Sequence, residues 1–301
     1  MSNLSTTTPH ELEDIGEEEE MMATTWYYAT GAASFALNNF ALYLIYKRSP
    51  FLTAEMKFLF GNLKIWCLVA NFHQAILFQP FVYPYAGGGF CSGVLCHVVS
   101  FHIGMSLFVL FTGSAAGAYV VLMVGRHQTL LSPNSKLKLT DKRRRALYAG
   151  IHISLFMCAV AFFLYQPSEA KMEKMRRHTT NWFQWDVQGR SWNIYDNKAK
   201  KVLATIVVSY ILTCFAIVGG MMVYCFVDTL SISVLLFSVP IVVTLVSTYV
   251  KHSRQSVLLV MWGWMVLSTA TSCNAIVFVV ATQSYLSFLR ARLACPAKVS
   301  T

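Results

Sequence analysis

The chain of 301 residues is 55% hydrophobic and only 13% charged, which is the composition of a protein that crosses a membrane several times and excludes a soluble domain. Its net charge of +10 comes from basic residues in short runs between apolar stretches, and this pattern favours lipid headgroups over nucleic acid as the partner. The first 20 residues contain no apolar core, so we expect no cleavable signal peptide and a first span that targets the chain itself.

Residues 1–25 are predicted to form an extracellular acidic tail. They carry seven acidic residues and no Lys or Arg, and segments of this kind are usually solvated and disordered. The triplet Asn3-Leu4-Ser5 matches the pattern for N-glycosylation, but such triplets also occur by chance, so the use of Asn3 stays open. The acidic tail before the first span, and Lys47 and Arg48 after it, place the amino terminus outside and the carboxyl terminus inside.

Seven apolar segments predict an all-α fold, an integral membrane bundle of seven transmembrane helices over residues 26–289 with a cytoplasmic tail at 290–301. The predicted spans are about 26–46, 58–79, 95–124, 146–165, 202–226, 230–250 and 256–284. Basic residues number 14 on the predicted inner side and 10 on the outer side, a weak excess, so the orientation depends mainly on the first span. In the second span, Lys64 is expected to extend its ammonium group to the headgroups.

The third span is the longest uncharged stretch. It is preceded by Phe78-Gln79-Pro80 and by a turn rich in proline and glycine, neither of which can continue a helix. No Asp, Glu, Lys or Arg occurs from Leu95 to Val124, and thirty helical residues would measure ~45 Å, enough for the hydrocarbon core and both headgroup layers. Gly113 and Gly117 stand four residues apart, which favours close packing of neighbouring helices.

Eight cysteines are present, without a CxxC pair or a Cys/His spacing that would hold zinc, so we expect no metal site. Only Cys91 and Cys96 fall near the predicted outer surface. A disulfide would therefore be a local link between these two or a link to another chain. Cys295 follows the seventh span beside Arg290 and Arg292, where a palmitoylation site and a free cytoplasmic thiol are equally compatible with the sequence.

A polar segment over residues 168–201 separates the fourth and fifth spans. It holds eight Lys or Arg and several aromatic residues, including Trp182, Trp185 and Trp192. Such a segment fits a lid over a ligand pocket, and it equally fits a patch that lies on the headgroups.

Residues 202–250 must hold two spans, because one helix of that length would measure ~74 Å against a core of ~30 Å. The chain is predicted to reverse at Asp228, whose charge would cost ~2.5–3.5 kcal/mol at the membrane centre and therefore belongs at the inner interface. The turn from Cys225 to Ser231 has no Lys or Arg. From so short an inner loop we expect weak coupling and a receptor shortened at this point.

The patterns of enzymatic sites are missing: the sequence has no GxSxG, HExxH or P-loop and no paired membrane carboxylates, so neither an enzyme nor a cofactor is expected. The seventh span lacks the lysine that would form a Schiff base with retinal, so a light-sensing opsin is excluded. His73, His97, His102 and His152 are singly placed, and packing explains them better than a proton path does. A channel or transporter stays as the alternative, although no internal repeat is seen.

Several short motifs occur in a fixed order along the chain. They are Asn62-Leu63-Lys64-Ile65-Trp66, Asn71-Phe72-His73, Phe78-Gln79-Pro80, Pro84-Tyr85-Ala86-Gly87-Gly88, Gly93 and Arg126-His127-Gln128. With these motifs the chain resembles the nematode serpentine chemoreceptors, closest to the class i and class h groups, over most of residues 40–290. The resemblance implies a G-protein-coupled receptor of olfaction or another chemical sense, in the plasma membrane of a sensory cilium, with a small odorant or soluble cue as ligand.

The resemblance also implies a heterotrimeric G protein as the inner partner. Arg126 is the best candidate for that contact, with His127 beside it, and the ligand is expected among helices three, five, six and seven. Two positions depart from the family pattern: Asn71 stands where an acid is common, and Gly125 precedes Arg126 where a more polar residue is common. These departures leave a degenerate, non-coupling receptor as a further alternative.

Overall fold

A computed structural model describes residues 16–50, 52–83, 88–132, 134–166, 191–195 and 254–281, and the single positions 168, 170, 172 and 174. Several predictions fall outside these residues. They concern the fifth and sixth spans, the turn at Asp228, the carboxyl-terminal tail and the side chains of Asn3, Trp182, Trp185 and Cys295.

The described part of the chain is mostly helical. Its α-helices are α1 (Glu17–Lys47), α2 (Ala54–Phe72), α3 (Phe101–Leu130), α4 (Asp141–Leu164) and α5 (Arg254–Ala281), the last of which covers most of the predicted seventh span. Three stretches of them are long and apolar enough to cross a membrane, namely Phe101–Thr129, Asp141–Leu164 and Gln255–Ile276.

The first helix begins earlier than the sequence predicts. α1 starts at Glu17, well before Trp26, so the acidic block is helical and is not part of a disordered tail. Four glutamates in the first turn interact favourably with the positive end of the helix dipole. The Glu19 carboxylate also accepts the Gly16 backbone N–H at 2.6 Å, which satisfies one of the free donors at the helix start.

The second helix changes geometry before it ends. α2 begins after Thr53, whose hydroxyl accepts the Met56 N–H, and continues at His73–Phe78 into one turn of π-helix. The chain then reverses at Gln79, which has a left-handed φ of 43°. The helix end predicted at Phe78-Gln79-Pro80 is therefore the point where the chain leaves the bundle.

A small antiparallel sheet corrects the all-α prediction. The glycine turn joins β1 (Pro80–Tyr83) to β2 (Gly88–Cys91), and β3 (Trp192–Ile194) from the polar segment pairs with β2, in the order β1-β2-β3. Phe81 and Phe90 lie opposite each other with stacked rings 4.9 Å apart, a cross-strand pair that stabilises the hairpin.

Between β2 and α3 the chain forms a compact link. A disulfide joins Cys91 to Cys96, which selects the local pairing, and Val94–His97 forms a short 3-10 turn. α3 then begins at Phe101, six residues after the predicted start, because Ser100 caps it by accepting the Ile103 N–H.

Side chains of all five helices fill the interior. One buried cluster lies beneath the sheet and contains Tyr27, Phe78, Phe101, Phe108 and Trp264. A second cluster joins α2 to α3 and includes Leu59, Leu63, Cys67, Ala118 and Leu122. We call the end of the bundle that carries the sheet the sheet end, and the opposite end, where α3 finishes and α4 begins, the basic end.

Candidate functional site

The basic end carries the residues that the family resemblance singled out. The Arg126 side chain is exposed in the last turns of α3, and its neighbour His127 is half-buried. The structure thus places the two predicted coupling residues together at a helix end, with the Arg126 guanidinium accessible from outside the bundle.

Gln128 fixes the connection between α3 and α4. Its buried side-chain amide donates to the Leu137 carbonyl at 3.3 Å and accepts the Leu139 N–H at 2.7 Å. The Lys138 ammonium donates in turn to the Leu131 carbonyl at 3.1 Å. Because both the donor and the acceptor of the Gln128 amide bond to the loop, the loop is held in a single position beside Arg126. In the sequence Gln128 is part of a family motif. Its role in holding the loop could not be predicted, because it depends on how the loop folds back onto the side chain.

An ion-pair network ties α2 to α4 at the same end. The Arg144 guanidinium lies 2.9 Å from the Glu55 carboxylate and 2.9 Å from the Asp141 carboxylate. Arg144 is largely buried by these contacts, whereas Lys142, Arg143 and Arg145 are exposed. Three of the four consecutive basic residues therefore remain available on the surface.

Packing explains the glycine that precedes Arg126. A Cβ atom at Gly125 would collide with the Leu59 side chain and would also approach the Tyr148 hydroxyl. A larger polar residue does not fit between α2, α3 and α4 at this point. Gly117 is similarly close to Leu155 and His152 of α4, whereas Gly113 has no described atom within 4 Å of an added Cβ. Of the predicted glycine pair, only Gly117 has a close neighbour in the described bundle.

The interior near the sheet end combines aromatic rings with polar groups. His73 is fully buried, stacks on Phe78 with ring centroids 5.4 Å apart and meets the edge of Phe111 at 5.3 Å. Neither of its ring nitrogens has a hydrogen-bond partner among the described residues, and the same holds for the Trp264 indole N–H. Buried polar groups without partners are rare, so this aromatic layer between α2, α3 and α5 is a candidate for ligand contact.

Two side-chain amides fasten α2 to α5 just beside this layer. Asn71 donates to the Ser268 carbonyl at 2.7 Å, and Gln74 donates to the Trp264 carbonyl at 3.3 Å. Asn71 therefore has a structural bond to the backbone of the neighbouring helix.

Lys64 does not extend to the headgroups as predicted. Its side chain is fully buried, its ammonium donates to the Asn274 side-chain carbonyl at 2.5 Å, and it lies 5.2 Å from the centre of the Phe278 ring. The prediction was wrong because the α2 stripe that contains Leu63, Lys64 and Cys67 faces other helices and not lipid.

At the sheet end, the strand from the polar segment is bonded to the bundle. The Ser191 hydroxyl accepts the Phe101 backbone N–H at 2.6 Å, and Tyr195 is hydrogen-bonded to His102 Nδ1 at 3.0 Å. His102 Nε2 lies 3.0 Å from the Phe163 carbonyl, which can only accept, so Nε2 carries the proton and Nδ1 accepts from the Tyr195 hydroxyl. Burial raises the pKa of Tyr195, so this hydroxyl stays protonated at neutral pH.

Trp192 is the one predicted lid residue within the described part of the chain. It lies in β3 opposite Phe90 of β2 and is half-buried. The aromatic segment is thus anchored at Trp192 to the hairpin, at Ser191 to α3 and at Tyr195 to His102.

A family model describes the arrangement as a whole. The model for the serpentine type 7TM GPCR chemoreceptor Sri matches residues 14–234, nearly three quarters of the chain. A comparison with curated proteins found no match. The apolar helices are those of a multi-pass membrane protein, and the match includes the hairpin, the third helix and the Arg126 end. The chain belongs to the serpentine type 7TM GPCR chemoreceptor Sri family, a family of nematode chemoreceptors.

Proposed function

We propose that this receptor binds a small odorant or soluble cue at its sheet end and signals through a heterotrimeric G protein at its basic end. Family membership supports the chemoreceptor class. The observation that carries the coupling proposal is the well-defined conformation of the α3–α4 loop at the basic end. Gln128 holds this loop in place next to the exposed Arg126. A partner protein recognises such a surface without having to order it first.

The proposed orientation has the sheet end outside and the basic end in the cytoplasm. The exposed residues Lys142, Arg143 and Arg145 at the start of α4 follow the positive-inside pattern, and the acidic start of α1 lies at the other end of that helix from Lys47. In this orientation the Cys91–Cys96 disulfide faces the oxidising side of the membrane. We place the receptor in the plasma membrane of a sensory cilium, with a glycan on Asn3 outside and palmitate on Cys295 inside.

The ligand is proposed to reach the bundle beneath the sheet. Ligand contacts are expected from the third, fifth, sixth and seventh spans, and α3 and α5 belong to the third and the seventh of these. Their side chains Phe108 and Trp264 meet beneath the sheet with ring centroids 4.9 Å apart. The lid proposed for Trp182, Trp185 and Trp192 would cover this region, and the anchoring of Trp192 in β3 supports such a cover.

The test is a screen of small odorants on cells that express the chain, with a G-protein reporter and with direct current recording. We expect responses that disappear when G proteins are blocked. A current that persists under blockade would identify a channel and would contradict the proposal.

Arg126→Ala should reduce the response to an active odorant more than it reduces surface abundance, because the exposed guanidinium is accessible to a partner protein at the end of α3. Lys142→Ala removes another exposed cation from the same end and is the matched control. An equal loss of response and abundance in the Arg126 variant would instead assign Arg126 to folding or topology.

A further inference from the structure

The first helix presents a side-chain amide on its outer side. The buried residues of α1 share one face of the helix, and Asn39 points ~130° away from the middle of that face. In the structure the Asn39 side chain is exposed, whereas its neighbour Asn38 is buried and bonded to Ser34. The two adjacent amides therefore have different surroundings, one inside the bundle and one outside it. The buried residues of α1 are Ala23, Tyr27, Gly31, Ser34, Asn38, Ala41, Leu44 and Ile45.

Asn39 lies at the depth of the membrane interior. The Thr30 hydroxyl is hydrogen-bonded to the Ser268 hydroxyl, and Leu44 and Val279 share a buried cluster, so α1 runs alongside α5 in the same direction. Asn39 lies between these two contacts, ~12 Å before the end of α1. α5 contains no charged residue after its first. At this depth an exposed side chain of a multi-pass membrane protein faces lipid tails and not water.

Lipid tails cannot satisfy the hydrogen-bonding groups of this amide. An asparagine side chain has two N–H donors and a carbonyl acceptor. One N–H of Asn39 donates to the Phe35 backbone carbonyl of the same helix at 2.8 Å. Hydrocarbon offers nothing to the second N–H or to the side-chain carbonyl, so their exposure costs free energy that contact with another helix recovers.

A second copy of this chain is the partner that fits the Asn39 amide. Two copies that are inserted in the same direction carry Asn39 at the same depth. An amide is also self-complementary, because the carbonyl of each copy can accept an N–H of the other across a twofold axis. An unrelated protein would need both a donor and an acceptor at this depth, whereas an identical copy has them by symmetry.

The surface around Asn39 allows two such helices to meet. Ala36 and Ala32 lie three and seven residues before it on the same side of α1, and both are exposed. Small residues four positions apart let helix backbones approach closely, which brings the two amides within reach. Phe35 and Tyr43 are exposed on the same side and add apolar surface. We call these five residues, Ala32, Phe35, Ala36, Asn39 and Tyr43, the α1 face.

We propose that the chain forms a parallel homodimer through the α1 face, in which the two Asn39 amides hydrogen-bond to each other. The buried face of α1 keeps its contacts with α2 and α5, because the dimer uses the exposed side of the helix. The proposal concerns assembly in the membrane and requires neither a ligand nor a G protein. It therefore stands or falls separately from the proposed function.

The experiment measures energy transfer between copies of the purified full chain in phosphatidylcholine vesicles. Half of the protein carries a donor dye on an amino-terminal tag, and the other half carries an acceptor dye there. Energy transfer is recorded as the protein is diluted with lipid, and the midpoint of its loss gives the dissociation constant of the dimer. We expect a saturable transfer that unlabelled chain reduces by competition. Transfer no greater than random proximity produces, at every dilution, would overturn the proposal.

Two substitutions at one position test the amide pair. Asn39→Leu removes the amide and keeps a side chain of similar size, so it should weaken dimerisation about tenfold. Asn39→Gln retains an amide and should keep most of the affinity. An Asn39→Leu variant that dimerises like the wild type, or an Asn39→Gln variant as weak as Asn39→Leu, would refute the hydrogen bond between the copies.

A bulky side chain tests the helix contact independently of the amide. Ala36→Phe should hinder the close approach of the two α1 helices and weaken dimerisation, and it should leave the interior intact because Ala36 is exposed. Ala149→Phe makes the same change at an exposed position of α4 and is the matched control. Wild-type affinity in the Ala36 variant, or equal weakening by both changes, would rule out the α1 face as the interface.

Discussion

Replacing Tyr195 with phenylalanine would remove one hydroxyl and leave the rest of the packing beneath the sheet in place. The Tyr195 ring lies 5.7 Å from Phe162 and 5.8 Å from His102, and a phenylalanine ring can keep both contacts. The variant would leave His102 Nδ1 buried as an acceptor without a donor, because Nε2 is already committed to the Phe163 carbonyl.

A buried polar atom that loses its partner costs about 1–3 kcal/mol of unfolding free energy. For a protein of this size each kcal/mol corresponds to roughly 2–4 °C of unfolding temperature, so the variant should unfold at least about 2 °C below the wild type. The assay is thermal unfolding of the purified receptor, with Tyr28→Phe as the control, because Tyr28 is exposed over 47% of its surface.

A double-mutant cycle separates the hydrogen bond from other effects. If His102→Phe is combined with Tyr195→Phe, the second change should cost less than it does alone, since the orphaned acceptor is gone. Coupling between contacting residues of this kind is usually 0.5–3 kcal/mol. Additive losses, or a Tyr195→Phe variant as stable as the Tyr28→Phe control, would refute the assigned bond between Tyr195 and His102.

Three further outcomes are expected. Gly104→Ala should destabilise the receptor by about 1–3 kcal/mol, because the added methyl group would collide with the Phe78 ring. Gly113→Ala on the same helix should be neutral or stabilising, since no described atom lies within 4 Å of an added Cβ there. Equal effects of the two changes in thermal unfolding would contradict this packing. Gln128→Glu keeps the acceptor for the Leu139 N–H but loses the donor to Leu137, so it should increase proteolysis of the α3–α4 loop, and unchanged cleavage would show that the amide does not hold the loop. An epitope tag inserted after residue 2 should be stained on intact cells. Staining only after permeabilisation would show that the amino terminus lies inside and that the proposed orientation is wrong.

Helices could be predicted from the sequence where long apolar runs made them inevitable, but their ends could not. The beginning of α3 depends on Ser100, one of several small polar residues near the glycine turn, and only the structure shows that its hydroxyl accepts the Ile103 N–H. The start of α1 was missed for a different reason. A block of four glutamates reads as a solvated tail by composition, yet at the first turn of a helix the same charges are stabilising.

The sheet was missed because its strands are short and its pairing is distant. β1 and β2 have four residues each, too few for a clear alternation of apolar and polar side chains, and β3 lies about a hundred residues further along the chain. Phe81 and Phe90 do flank the glycine turn symmetrically, and this was the available signal for a hairpin.

Lys64 shows why polar residues in a span need to be interpreted together. Considered alone, a lysine near the end of a span is expected to extend to the headgroups. Its spacing of seven residues from Asn71 places both side chains on one face of α2, and that face meets α5, where Asn274 and the Ser268 carbonyl receive their hydrogen bonds. A stripe of polar side chains that matches polar positions on another helix indicates an interior contact. If the two helices did not meet, these side chains would face hydrocarbon and would have no hydrogen-bond partners. The partner of Lys64 lies 210 residues away in the sequence, so the pattern on α2 can predict that a partner exists but not which helix supplies it.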